Sequence, residues 1–167
     1  KIKEKQNDAQ GLADLYGNRV NVLLMLGTLD EAEKLVKRSM RANKKSGNET
    51  GLMSDYRHMG NLSMQKTDWA NADKFYKSAL EINSKTDNRY EIAEDYRNRG
   101  NLYLQKEDWD LCEKLSLQSL EIAEEINDLR NVCHDSRLLG KVYAEKKSRN
   151  KQEEYYKKAL EISEKLK

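Results

Sequence analysis

The chain has 167 residues and a mass of 19.5 kDa, the size of one ordinary domain or of a short repeat array. Lys plus Arg is 31 and Asp plus Glu is 29, a formal net charge of +2 on a chain that is 36% charged and contains no proline. Collagen-like and proline-rich classes are excluded, no apolar run approaches the ~20 residues of a spanning helix, and the interspersed signs give no basic field for a polyanion. Nucleic acid and membrane are therefore set aside as partners. The absence of proline, with many Glu, Lys and Leu, predicts an all-α protein.

Residues 1–10, KIKEKQNDAQ, hold no apolar stretch of the signal-peptide kind. They read as the tail of a preceding helix or a linker, and residues 11–167 as a single repeat domain. The repeats fall at about 11–50, 51–90, 91–130 and 131–167. Their register is set by Gly60, Gly100 and Gly140, by Asp55-Tyr56-Arg57 and Asp95-Tyr96-Arg97, and by Gly60-Asn61-Leu62 and Gly100-Asn101-Leu102. Asp68-Trp69 recurs as Asp108-Trp109, and Leu80-Glu81-Ile82 recurs as Leu120-Glu121-Ile122 and Leu160-Glu161-Ile162. The first repeat keeps the register more weakly, with Val20-Asn21-Val22 in place of Gly-Asn-Leu.

Within each repeat the apolar spacing is near 3.6. In the second, Met53, Tyr56, Met59, Gly60, Leu62 and Ser63 share one side of a first helix, while Asp55, His58 and Gln65 fall elsewhere. A second helix carries Ala72, Phe75, Tyr76, Ala79, Leu80 and Ile82. Asp30, Asp68 and Asp108 are predicted N-caps of the second helices. The break near Lys66–Asp68 is short enough to require an antiparallel hairpin, and further turns are predicted near Ser46–Asn48, Thr86–Asn88 and Asn127–Asp128. Mid-helix glycine costs about 1 kcal/mol against alanine. That is tolerated where another helix passes too close for a Cβ, so Gly60, Gly100 and Gly140 are predicted helix contacts. Trp69 and Trp109 are expected at hairpin corners, and Met53, Met59 and Met64 in the core.

The pattern resembles the tetratricopeptide repeat family. Its Trp-x2-Leu-Gly-x2-Tyr and Ala-x3-Phe motif is met by Tyr56-x2-Met59-Gly60-x2-Ser63 with Ala72-x3-Tyr76, by Tyr96-x2-Arg99-Gly100-x2-Tyr103 with Cys112-x3-Ser116, and by Ser136-x2-Leu139-Gly140-x2-Tyr143 with Gln152-x3-Tyr156. The interval of 40 is similar to the longer-helix variety of that family, whose usual interval is 34, and the closing proline is absent. The resemblance implies a right-handed superhelical solenoid of stacked antiparallel helix hairpins, with about four repeats and eight helices. It also implies a concave groove lined by the first helix of each repeat, in which a peptide or partner segment binds.

Carried over position by position, the groove residues are Asn21, Asn61, Asn101 and Lys141, with Arg57, Arg97 and Arg137 one helical turn earlier. Met64 and Leu104, then Gln65 and Gln105, extend the same face. Asparagine offers one acceptor and two donors, and guanidinium is a bidentate receptor for carboxylate or phosphate. The expected ligand is an acidic segment or a C-terminal carboxylate. A second reading leaves Arg57 and Arg97 paired with neighbouring carboxylates such as Asp55, Asp95 or Glu94.

Enzyme chemistry finds no support in the sequence. Cys133-His134-Asp135 spells a triad only in order, because consecutive helical residues point about 100° apart. Cys112 and Cys133 are not spaced as metal ligands, no glycine-rich loop occurs, and no cofactor is expected. With no secretory signal, both cysteines are expected reduced and the chain cytoplasmic. Two alternatives to a peptide-binding scaffold stay open: a regulatory or sensor arm of a larger protein, and a homodimer through a terminal repeat face.

Overall fold

In a computed structural model, residues 15–166 are described. Residues 1–14, which include the expected N-terminal tail, lie outside them. The described residues form helices joined by short turns: α1 over 15–25, α2 Leu29–Ser46, α3 Glu49–Gln65, α4 Trp69–Thr86, α5 Arg89–Gln105, α6 Trp109–Glu125, α7 Leu129–Glu145 and α8 Arg149–Lys165. The described residues are all-α, and their eight helices make four antiparallel hairpins.

Each helix is stopped and restarted by the same backbone device. A residue in the left-handed region follows every helix from α1 to α7: Gly27, Gly47, Thr67, Asp87, Glu107, Asn127 and Lys147, with φ from 49° to 71°. The N–H of the next residue reaches back five positions, as from Asp68 to the Ser63 carbonyl at 2.8 Å and from Asp128 to that of Ala123 at 2.8 Å. This 6→1 bond is the Schellman closure, and it satisfies carbonyls the ended helix leaves open. The same next residue caps the following helix. Asn48, Asp68, Asn88, Asp108 and Asp128 accept from the N–H three residues on, at 3.1 to 3.4 Å. The predicted cap Asp30 is corrected here. Thr28 holds the N-cap position of α2, its hydroxyl donating to the Leu23 carbonyl, and Asp30 lies inside the first turn. Two or three residues do all the turning, so the helices of each hairpin return antiparallel.

The chain divides into two compact units, residues 1–85 and 86–167. In the first, Val20, Leu23 and Leu24 of α1, Ala32 and Val36 of α2, and Met59 and Leu62 of α3 form one apolar core, with Phe75 of α4 against it. The α3–α4 hairpin closes on Gly60. A Cβ there would stand 2.4 Å from the Tyr76 ring, whose face fills the space. Tyr56 and Phe75 stack across the same hairpin, with centroids 6.3 Å apart. In the second unit Leu120 and Ala123 of α6, Val132, Leu139 and Tyr143 of α7, and Ile162 of α8 make the core. Gly140 repeats the close approach, its Cβ position 2.6 Å from the Tyr156 ring, while the one at Gly100 lies 3.0 Å from Ser116 Oγ.

One feature departs from the sequence reading. Asp55, placed away from the apolar side, is 5% exposed, and Asp95 and Asp135 are fully buried. Asp55 accepts from Asn43 Nδ2 at 2.7 Å, tying α3 to α2. Ser119 Oγ lies 2.6 Å from Asp135 Oδ2 and 2.9 Å from the Ala93 carbonyl, so one hydroxyl joins α6 to both α7 and α5. Helix packing in each unit is therefore registered by a buried carboxylate, and a buried polar group of this kind is tolerated because it is hydrogen-bonded. His58 is also drawn in, its ring 3.2 Å from the Cβ position of Gly17.

At the outer edge, Lys66 Nζ lies 2.6 Å from Glu33 and 3.6 Å from Asp30. In the second unit Lys146 Nζ lies 2.5 Å from both Asp110 and Glu113. Each lysine fastens the end of a first helix to the second helix of the hairpin before it. Lys37 and Lys66 together hold the Glu33 carboxyl down to about 2.

Candidate functional site

The first helices of the second unit, α5 and α7, pack on one another. Between them is a small cleft of about 50 Å³, lined by Asn101 and Leu104 from α5 and by His134, Arg137, Leu138 and Lys141 from α7. Four of the expected groove residues, Asn101, Leu104, Arg137 and Lys141, thus meet in one place although they come from two repeats. The local reason is helical spacing. Asn101 and Leu104 are three apart, and His134, Arg137, Leu138 and Lys141 follow steps of three and four, which puts each set on one stripe. Asn101 and Leu104 are half-buried while His134, Arg137 and Lys141 are exposed, so the cleft has a walled side and an open, cationic side.

The other expected residues behave differently. Arg97 is half-buried, and its guanidinium lies 3.5 Å from Glu94, the pairing that the alternative reading foresaw. Asn61 is half-buried, and its Oδ1 accepts from the Tyr76 hydroxyl at 2.7 Å. That side chain braces the α3–α4 hairpin with its oxygen and keeps its amide donors. The position of Tyr76 is taken by Ser116 in the next hairpin, so Asn101 has no such tyrosine beside it and joins the cleft. Arg57 and Met64 are half-buried on α3, Asn21 is exposed on α1, and Gln65 and Gln105 stand exposed at the ends of α3 and α5.

His134 and Leu138 were not among the expected groove residues. Their signal was present, since His134 lies three residues before Arg137 and Leu138 three before Lys141. The three residues Cys133, His134 and Asp135 point three ways. Cys133 Sγ contacts the Ala159 carbonyl of α8 at 3.4 Å, His134 lines the cleft, and Asp135 turns to Ser119 of α6. They form no triad, as consecutive helical positions require. His134 Nδ1 lies 3.7 Å from Asp135 Oδ1, an oxygen that accepts no hydrogen bond among the described residues. Among the described residues no group of three or more His, Cys, Asp or Glu is placed to hold a metal ion, and no helix is long and apolar enough to cross a membrane.

Larger hollows occur elsewhere. One of about 500 Å³ lies beside Lys147, Arg149 and Tyr156, and one of about 290 Å³ lies between α1 and α2 beside Arg19, Lys34 and Arg38. Each belongs to a single hairpin or its turn. A third, of about 470 Å³, lies at the α1–α2 turn, where Lys66 from the second repeat meets Asp30 and Glu31, so its charges are mixed rather than cationic.

Residues 91–165 match the tetratricopeptide repeat family, a stretch that takes in most of α5 and all of α6, α7 and α8. The fold is TPR-like. No curated protein matches the chain. Among solved structures, BtubC (BKLC) from P. vanneervenii is similar with a TM-score of 0.84 at 20% identity, over 95% of this chain and 65% of that one. A signal transduction ATPase with numerous domains from Pyrococcus horikoshii, which carries a tetratricopeptide repeat sensor, is similar with a TM-score of 0.80 at 20% identity, over 90% of this chain. The chain spans 23% of that protein's length. At this identity the likeness establishes the fold.

Proposed function

We propose that the chain is a non-catalytic interaction module of the longer, 40-residue TPR variety that binds a partner segment along its first helices. The observation that carries this reading is the α5–α7 cleft, where donors and apolar side chains from two repeats converge. Asn101 supplies an amide able to pair with a peptide backbone, Leu104 and Leu138 an apolar floor, and Arg137 and Lys141 a cationic wall. The segment that suits this set is acidic, by a side chain or a terminal carboxylate. In the first unit, α1 and α3 offer Asn21, Arg57, Asn61, Met64 and Gln65 to the same kind of ligand.

The second reading, a sensor or regulatory arm of a larger protein, draws on the likeness to part of the Pyrococcus ATPase, a protein with a tetratricopeptide repeat sensor, of which this chain spans 23%. It is compatible with the first, since a sensor arm also needs a ligand face.

The test is binding of acidic peptides that end in a free or an amidated carboxylate, measured with the intact chain and with Asn101→Ala and Arg137→Ala. The expected result is tighter binding of the acidic peptides than of neutral ones, weakened about tenfold or more by either substitution. Equal binding by free and amidated forms assigns recognition to side-chain carboxylates, and unaffected binding in both variants removes the cleft from the account.

A further inference from the structure

The cationic wall of the cleft is not a feature of every repeat. On α7 the stripe runs Arg130, His134, Arg137, Lys141, at steps of four, three and four. The same positions on α5 are Tyr90, Glu94, Arg97 and Asn101, and on α3 they are Thr50, Ser54, Arg57 and Asn61. On α5 the arginine is held by its own helix, with Glu94 at 3.5 Å. On α7 the glutamate is replaced by His134 and the asparagine by Lys141. That removes the internal counter-charge and adds a cation one turn from Arg137. The neighbouring carboxylate, Asp135, is fully buried and turned to Ser119 of α6, with its other oxygen towards His134 Nδ1. The cleft itself is therefore lined by two full positive charges, an imidazole and the Asn101 amide, with no carboxylate in its lining.

A single carboxylate would leave one of those cations uncompensated. A phosphoryl group carries about −1.5 to −2 charges at neutral pH and three strong acceptor oxygens. That matches the charge of Arg137 and Lys141 together, and its oxygens match the three donor groups, guanidinium, ammonium and amide. The cleft, about 50 Å³, has room for one compact anionic group rather than a long side chain. Leu104 and Leu138 beside it suit the apolar neighbour of a modified residue on a peptide, whereas a nucleic-acid backbone would call for a continued basic track that α5, with Glu94 and Tyr90, does not extend.

We infer, resting on the groove reading above, that the α5–α7 cleft is a phosphoryl subsite, selective for a phosphorylated side chain of the partner segment over a carboxylate. The experiment uses the full chain, isotopically labelled, titrated with blocked pentapeptides that differ only in a central phosphoserine, aspartate or serine. Resonances of Asn101, Arg137 and Lys141 are followed by NMR. The expected result is movement of these resonances by the phosphoserine peptide at a half-saturating concentration at least about tenfold below that of the aspartate peptide. The double substitution His134→Glu with Lys141→Asn, which installs the α5 arrangement on exposed positions, is expected to bring the two peptides to within about twofold. Equal half-saturation in the unmodified chain overturns the phosphoryl inference and leaves the groove reading standing. An absence of movement at α5 and α7 with both anionic peptides overturns both.

Discussion

Thr67, between α3 and α4, is a β-branched residue held at φ 56°, a region where its Cβ crowds the backbone. Gly27 and Gly47 occupy the equivalent places in the first two turns without that cost. Thr67→Gly is therefore expected to stabilise the chain by about 1 kcal/mol despite the added freedom of the unfolded state, measured as a higher urea midpoint. No rule of composition marks Thr67, Glu107 or Lys147 as left-handed. The turn closes its 6→1 bond whatever residue stands there, so this part of the fold was legible from the caps on either side and not from the residues themselves.

The burial of Asp55 is hidden from the sequence for a related reason. A carboxylate between apolar neighbours reads as solvent-facing until a buried partner is known, and Asn43, twelve residues back on another helix, is that partner. Burial pushes the Asp55 carboxyl above its ordinary range, and hydrogen bonds involving Asn43 and Ser39 offset only part of this. The folded chain then binds the proton more tightly than the unfolded chain. Stability from this group is complete below pH about 4 and is lost as pH rises through the raised value. Asp55→Asn keeps an acceptor for Asn43 and removes the titration. Its stability relative to the unmodified chain, from urea unfolding between pH 4 and 7, is expected to improve steadily with pH, and a flat difference would contradict the assignment.

At the scale of the elements, the repeating glycines gave the clearest reading. A helix-interior glycine with an apolar set around it signals a close crossing, and Gly60 and Gly140 each face a tyrosine ring sixteen residues on. The partner differs at Gly100, where Ser116 leaves more room. Gly60→Ala is expected to cost about 1–3 kcal/mol, because the Tyr76 ring has to leave its hydrogen bond to Asn61 to admit the methyl group. Gly100→Ala is expected to cost less, since a contact of 3.0 Å to a hydroxyl is relieved by a small shift and alanine favours the helix. Thermal unfolding of the two variants side by side checks the order. The hairpins were legible because cap residues and apolar stripes are local. The helix-to-helix ties through Asp55, Asp135, Lys66 and Lys146 were not, because each joins residues whose proximity is created only when one hairpin stacks on another.

At the scale of the whole molecule, the candidate ligand groups lie on the first helices of the hairpins in each unit. The family pattern places the groove positions once in every repeat. The structure makes these positions unequal: Asn61 gives its oxygen to Tyr76, Arg97 is paired with Glu94, and Arg137 and Lys141 meet Asn101 in the α5–α7 cleft. A family pattern shows which positions share a face. The partners on the same helix or on the next one then decide which of those positions remain open to a ligand. The most direct measurement is residue-by-residue mapping of an acidic peptide on the intact chain by amide chemical shifts. The account predicts changes centred on α5 and α7, strongest at Asn101, Arg137 and Lys141. Changes confined to the outward faces of α6 and α8 would contradict it.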